Sequence, residues 1–226
     1  MNLATTTIQN TNLMVNVDDL NSIREAIPQY VTLVAVSKTK PVSDIQEAYD
    51  LGVRDFGENR VQELLQKVGE LPDDIRWHAI GHLQTNKAKQ VANLAHLIHA
   101  VDSTRLFIAL SKHASKPLDV LLQLQIATES SKHGFSEKEL IQALDQGLLS
   151  NPSIRIRGLM GMATFTSDEA QIAKEFRSLR KLFDHLQPQL GDDFDTVSMG
   201  MSGDWKIAIE EGSTLIRVGS AIFGSR

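Results

Sequence analysis

The sequence predicts an α/β fold: a single eight-stranded (β/α)8 barrel of the TIM type, with one extra helix at its N-terminus. Three observations predict it. Eight short runs rich in apolar and β-branched residues each precede a segment of helical periodicity or the end of the chain. No linker, low-complexity stretch or composition shift divides the 226 residues, so 1–226 reads as one domain. Glycine- and hydroxyl-rich loops follow the seventh and eighth runs, where barrels of this kind commonly bind phosphate. An open doubly wound sheet is the alternative topology; the count of eight favours closure.

The elements follow in order. Residues 1–12 are polar, rich in Thr and Asn, and expected to be flexible. Leu13, Val17, Leu20, Ile23 and Ile27 recur at helical spacing until Pro28 ends the helix. The run 31–36 has no helical period and reads as a buried parallel strand. A capping-box pattern from Ser43 to Gln46 opens the next helix, which Gly52 closes. Strands are then expected at 53–56, 77–80, 97–101, 120–126, 154–160, 196–199 and 215–218. Helices are expected between them at 58–68, 85–94, 104–113, 136–149, 166–186 and 205–210. Two of these open on further capping boxes, Ser136 to Glu139 and Thr166 to Glu169.

Composition narrows the function classes. Hydrophobic residues make up 42% and charged residues 23%, an ordinary globular balance. A formal net charge of −5 supplies no positive field for nucleic acid. No window approaches a membrane span, and the N-terminus has no signal-peptide pattern, so the cytoplasm is the expected location. The absence of cysteine removes disulfides, thiolate metal sites and cysteine nucleophiles. His78 and His82 are four apart, and His96 and His99 three apart, but no carboxylate motif completes either pair and no metal site is expected. No glycine-rich nucleotide motif is present.

In a barrel the chemistry lies at the C-terminal ends of the strands. The loop Ser198-Met-Gly-Met-Ser-Gly-Asp204 and the pair Gly219-Ser220 combine glycines, which let backbone N–H groups approach an anion, with hydroxyl donors. Ser202 to Asp204 also precede a short helix, whose dipole favours phosphate. Tight barrel turns would use the same glycines. Lys38 stands just past the wholly apolar first strand, in the barrel mouth, where partial desolvation favours a nucleophilic amine. Most lysines are plain surface charge. Arg217 falls inside the last strand and needs a partner, either an acidic residue within the barrel or a heteroaromatic nitrogen at its mouth. An amine, a phosphate cradle and a strand-borne arginine together fit pyridoxal phosphate. Met160, Met162, Met199 and Met201 flank the mouth and fit either core packing or a cofactor ring.

Several segments carry a family resemblance: Val34-Ala-Val-Ser-Lys38, Phe56-Gly-Glu-Asn59, Trp77-His-Ala-Ile-Gly-His-Leu-Gln-Thr-Asn-Lys87, Arg157-Gly-Leu-Met-Gly-Met162, Ser198-Met-Gly-Met-Ser202 and Arg217-Val-Gly-Ser-Ala-Ile-Phe-Gly224. Together they resemble the pyridoxal phosphate homeostasis protein family. The resemblance implies a barrel like the N-terminal domain of alanine racemase. It implies pyridoxal 5'-phosphate bound covalently as a Schiff base to Lys38. Ser198, Gly200, Ser202, Gly219 and Ser220 would hold the phosphate, Arg217 would face the pyridine nitrogen, and Asn59, His82 and Met162 would line the ring. An arginine there leaves that nitrogen unprotonated and the ring a weaker electron sink. The implied role is intracellular cofactor homeostasis and amino-acid and keto-acid balance, with apoenzymes that depend on pyridoxal phosphate as partners. The chain stops just after the eighth strand, without a further domain to supply a second base. A monomer without fast catalysis of its own is therefore expected, and an amino-acid racemase is the alternative.

Overall fold

A computed structural model describes residues 14–128 and 133–224. The expectations for 1–12, and for Leu13 in the first helix, lie outside those residues.

Eight parallel strands close into a barrel in sequence order, each paired with the next and the last with the first. They are β1 (Thr32–Val36), β2 (Asp55–Glu58), β3 (Arg76–Ala79), β4 (Leu97–Val101), β5 (Leu118–Gln123), β6 (Ile154–Met160), β7 (Thr196–Ser198) and β8 (Leu215–Val218). The helices are α1 (Val17–Ala26), α2 (Val42–Asp50), α3 (Val61–Val68), α4 (Ala88–Val91), α5 (Thr104–Ser111), α6 (Glu137–Asp145), α7 (Glu169–Leu190), α8 (Trp205–Glu210) and α9 (Ser220–Phe223). The predicted barrel and its extra helix α1 are both present. Closure removes every sheet edge.

Strand alternation divides the apolar residues into two cores. Val34, Leu97, Ala100, Leu121, Met160 and Leu215 form a small cluster, separate from a larger one that includes Ala35, Phe56 and Ile98. Val34 and Ala35 are chain neighbours on opposite faces, so the small cluster is the barrel interior and the large one lies between strands and helices. The β1–β8 register pairs Val34 with Arg217, which places Arg217 in the inward-facing set.

Some boundaries differ from the sequence reading for local reasons. β2 lies two residues later than predicted, because Gly57 and Glu58 are buried ladder residues despite their polarity. Ser43 does not cap α2; Pro41 occupies that position with no side-chain cap. The Ser136–Glu139 capping box forms as expected. Thr166 yields to Asp168, whose carboxylate accepts the Gln171 N–H and starts α7 there. The expected helix at 85–94 is a 3-10 turn, Thr85–Lys87, followed by the single turn α4.

Candidate functional site at the barrel mouth

The turn that carries Lys38 is held from three sides. The Ser37 N–H donates to the Gly57 carbonyl at 3.0 Å. Ser37 Oγ donates to Glu58 Oε1 at 2.5 Å, and Lys67 Nζ reaches both that oxygen, at 2.7 Å, and the Ser37 carbonyl, at 2.9 Å. The Lys67–Glu58 ion pair is buried. Burial pushes the Glu58 carboxyl upward against the opposing bonds from Lys67 and Ser37. Lys40 N–H closes the turn on the Ser37 carbonyl at 3.0 Å, and Thr39 N–H donates to Glu63 Oε2 at 2.7 Å. Thr39 has φ of 65°, the one positive value among described non-glycine residues. A β-branched residue there costs about 1–3 kcal/mol and persists only where its surroundings over-determine it. Lys38 sits half-buried within this braced turn, four residues beyond inward-facing Val34.

Arg217 is fully buried, yet no carboxylate among the described residues lies within ion-pair distance of it. Its guanidinium donates to Ser198 Oγ and, at 3.2 Å, to the Gly161 carbonyl. Burial lowers its pKa to about 10, opposed by the charge of Asp204, so it remains a cation at neutral pH. Behind it a buried polar chain crosses the barrel. Ser198 Oγ meets His99 Nδ1 at 3.0 Å, His99 Nε2 meets His78 Nδ1 at 2.9 Å, and His78 Nε2 meets Asp55 Oδ1 at 3.1 Å. Burial first, then the neighbouring His78 and Arg217, hold His99 well below the usual histidine range, so it is neutral. One unbroken run of donors satisfies these contacts. Arg217 donates to Ser198, Ser198 to His99, His99 to His78, and His78 to Asp55. That tautomer assignment follows from the hydrogen-bond network. Asp55 ends the chain at the barrel floor, where Arg76 also grips it at 2.5 Å.

The two glycine loops meet. Gly219 N–H donates to Ser202 Oγ at 3.2 Å, joining the loop after β7 to the end of β8. Gly200 has φ of 95°, and a Cβ there would sit 2.6 Å from the Ala208 Cβ. A Cβ on Gly219 would come within 3.0 Å of the Val36 carbonyl oxygen. Only glycine fits either place without displacement. Asp204 stands at the start of α8 without a side-chain capping bond, and burial raises its carboxyl against the bond it accepts from the Met201 N–H. Ser220 is exposed at the start of α9.

Asn59, His82 and Met162 are exposed on the rim. The loop bearing Met162 is clamped from α7: Glu175 accepts the Thr164 N–H at 2.7 Å and the Thr128 N–H at 3.2 Å. His82 pairs with Asp102 at 3.0 Å and stacks on His133 with centroids 3.8 Å apart.

The structure thus groups the predicted residues in four places. Ser202, Gly200, Gly219 and Ser220 belong to the joined loops. Ser198 lies apart from them, in the ladder beneath Arg217. Asn59, His82 and Met162 lie on the rim, and Lys38 on its braced turn. The sequence reading missed the buried run of His99 and His78 behind Ser198 and Arg217, and missed Glu58, Lys67, Asp102, His133 and Glu175. The positions of Glu58 and Asp102 just past strand ends were the available signal.

Comparison with known proteins converges on one family. The family described as "Alanine racemase, N-terminal domain" matches residues 16–226. A pyridoxal phosphate homeostasis protein of Vibrio alginolyticus is 43% identical over 208 residues, covering 88% of each chain. The protein of the same name from Escherichia coli is 39% identical over 213 residues, covering 88% of this chain and 87% of that one. The solved structure of PipY from Synechococcus elongatus with PLP bound superposes with a TM-score of 0.85 at 38% identity, covering 92% of this chain and 99% of that one. Alanine racemase from E. faecalis shares the fold, with a TM-score of 0.70 at 16% identity, covering 92% of this chain and 57% of its own. The chain therefore belongs to the pyridoxal phosphate homeostasis protein family.

Proposed function

We propose that this chain binds pyridoxal 5'-phosphate at the barrel mouth and serves intracellular homeostasis of that cofactor, holding and releasing it without fast catalysis of its own. The observation that carries the reading is Arg217, a buried cation at the mouth, within hydrogen-bond reach of Ser198 and Gly161 but of no carboxylate among the described residues. A pyridine nitrogen is an acceptor suited to it. The residues fit the group in a second respect, since the loop after β7 and the end of β8 meet through Ser202 and Gly219 and bring glycine backbone and serine hydroxyls together where a phosphate could be held.

When bound, the cofactor supplies an aldehyde that an amine can hold reversibly. Lys38 would supply the amine that holds that aldehyde. Gly200, Ser202, Gly219 and Ser220 take the phosphate. Ser198 steadies Arg217, and Asn59, His82 and Met162 line the ring. Arg217 donates a hydrogen bond, not a proton, to the ring nitrogen. This weakens the ring as an electron sink; amino-acid racemisation is the competing reading. The PLP-bound PipY structure supports the cofactor, and the names of the relatives support the role. A cytoplasmic monomer that exchanges cofactor with apoenzymes, and so affects amino-acid and keto-acid balance, completes the reading. No described helix is long and apolar enough to cross a membrane.

The test is incubation of the cofactor-loaded protein with an apoenzyme that requires pyridoxal phosphate. Recovery of the apoenzyme's activity, with no alanine racemisation by the loaded protein itself, is expected. Racemisation at about 1 per second or faster would mark an ordinary enzyme instead.

A further inference from the structure

His82, Asp102 and His133 form a convergent trio on the rim, between the ends of β3 and β4 and the loop after β5. Asp102 Oδ2 lies 3.0 Å from His82 Nδ1 and 3.7 Å from His133 Nδ1. The donor atoms all lie within 4.8 Å of one another. Two ligands about 2.0–2.1 Å from a tetrahedral ion stand roughly 3.4 Å apart, so the two distances to Asp102 bracket the spacing an ion requires. We propose that these three side chains bind a divalent transition-metal ion, with zinc the best match.

Several features build the site. Each imidazole turns its Nδ1 toward the same carboxylate oxygen, and the stacked rings must tilt apart for both nitrogens to reach one ion. The other oxygen of Asp102 accepts from Ser103 Oγ at 3.1 Å, which orients the carboxylate and leaves Oδ2 facing the histidines. Such outer bonds to a ligating carboxylate support metal sites. Asp102 is largely buried while both imidazoles are half-exposed, so an ion can enter from solvent. The adjoining cavity, about 670 Å³, also reaches Gln84, Asn86 and Arg105 and leaves a fourth position open to water or a small anion. Two imidazoles and one carboxylate suit zinc, nickel or copper and discriminate against magnesium and calcium, which prefer all-oxygen shells. The histidine spacings in the sequence pointed away from a metal because the relevant partners come from three different loops. His78, four residues before His82, is committed to the barrel interior instead.

His82 is shared with the proposed cofactor pocket, so the test uses cofactor-free, untagged, full-length protein and leaves the cofactor reading untouched if it fails. Zinc alone is titrated calorimetrically at neutral pH, and cobalt is titrated in parallel for its visible bands. The expected result is one ion per chain, bound by imidazoles that each keep their single hydrogen on Nε2. His133→Gln and Asp102→Asn should each weaken binding at least about 100-fold, beyond the usual loss of an outer-shell partner. His185→Gln, an exposed histidine on α7, should change nothing. Thermal melting confirms that each variant is folded. No uptake by the wild-type chain, or equal uptake by wild type and His133→Gln, overturns the site.

Discussion

His99 Nδ1 lies 3.0 Å from the Ser198 hydroxyl, and this contact joins Arg217 at the barrel mouth to Asp55 at its floor. A cation and a carboxylate at opposite ends of a barrel are connected through three side chains, Ser198, His99 and His78. Low surrounding polarity strengthens such a chain when complete and makes any gap costly.

His99→Leu removes one link and leaves Ser198 and His78 each without a buried partner. The expected loss is about 1–3 kcal/mol of folding stability, measured by urea denaturation. A change within about 0.5 kcal/mol would show that the links are independent.

The chain also sets a pH dependence. Burial raises the Asp55 carboxyl, but bonds from His78 and Arg76 outweigh it and hold the group at about 2, below its ordinary value of 3.8. A lowered folded value contributes stability above the unfolded value, lost as pH falls toward the folded one. Asp55 therefore contributes about 2 kcal/mol that disappears between roughly pH 4 and 2. His99, buried and neutral, has the same sign at higher pH. It favours folding above its unfolded value of 6.5, and stability declines as pH drops below that. Urea midpoints against pH should fall less steeply for Asp55→Asn in the lower window and for His99→Gln in the upper one.

Lys67 is the counter-charge for a carboxylate buried behind the Lys38 turn. Lys67→Met leaves Glu58 uncompensated and should cost about 3–5 kcal/mol, while the double variant with Glu58→Gln should recover much of it. Equal losses in both variants would place the cost in packing rather than charge.

Gly200→Ala forces a Cβ to 2.6 Å from Ala208 at a positive φ. The variant should lose about 1–3 kcal/mol and bind phosphate-bearing cofactor more weakly. Calorimetric titration with pyridoxal phosphate reads the second effect, and unchanged affinity would exclude this loop from the cradle.

The eight strands were legible because β-branched runs and helical periods alternate without interruption, and closure follows from their number. The capping box at Ser136 was legible because both of its members are local. Thr166 misled because Asp168, two residues on, offers a charged acceptor to the same helix start. The glycine loops were legible from residue type, and their contact through Ser202 and Gly219 follows from adjacent strands. The polar chain was not, since His78, His99 and Ser198 are 21 and 99 residues apart and meet only when the barrel closes. The pairing of Glu58 with Lys67 could be read only once β2 was placed two residues later. The short α9 escaped because four residues show no period.

The central claim is that Lys38 holds the cofactor. Borohydride reduction of the pyridoxal-phosphate-loaded protein, followed by peptide mass mapping, tests it most directly. The account predicts the reduced pyridoxyl group on Lys38, and loss of both the label and the visible absorption band in Lys38→Ala. A label on another lysine, or a Lys38→Ala spectrum indistinguishable from wild type, would contradict it.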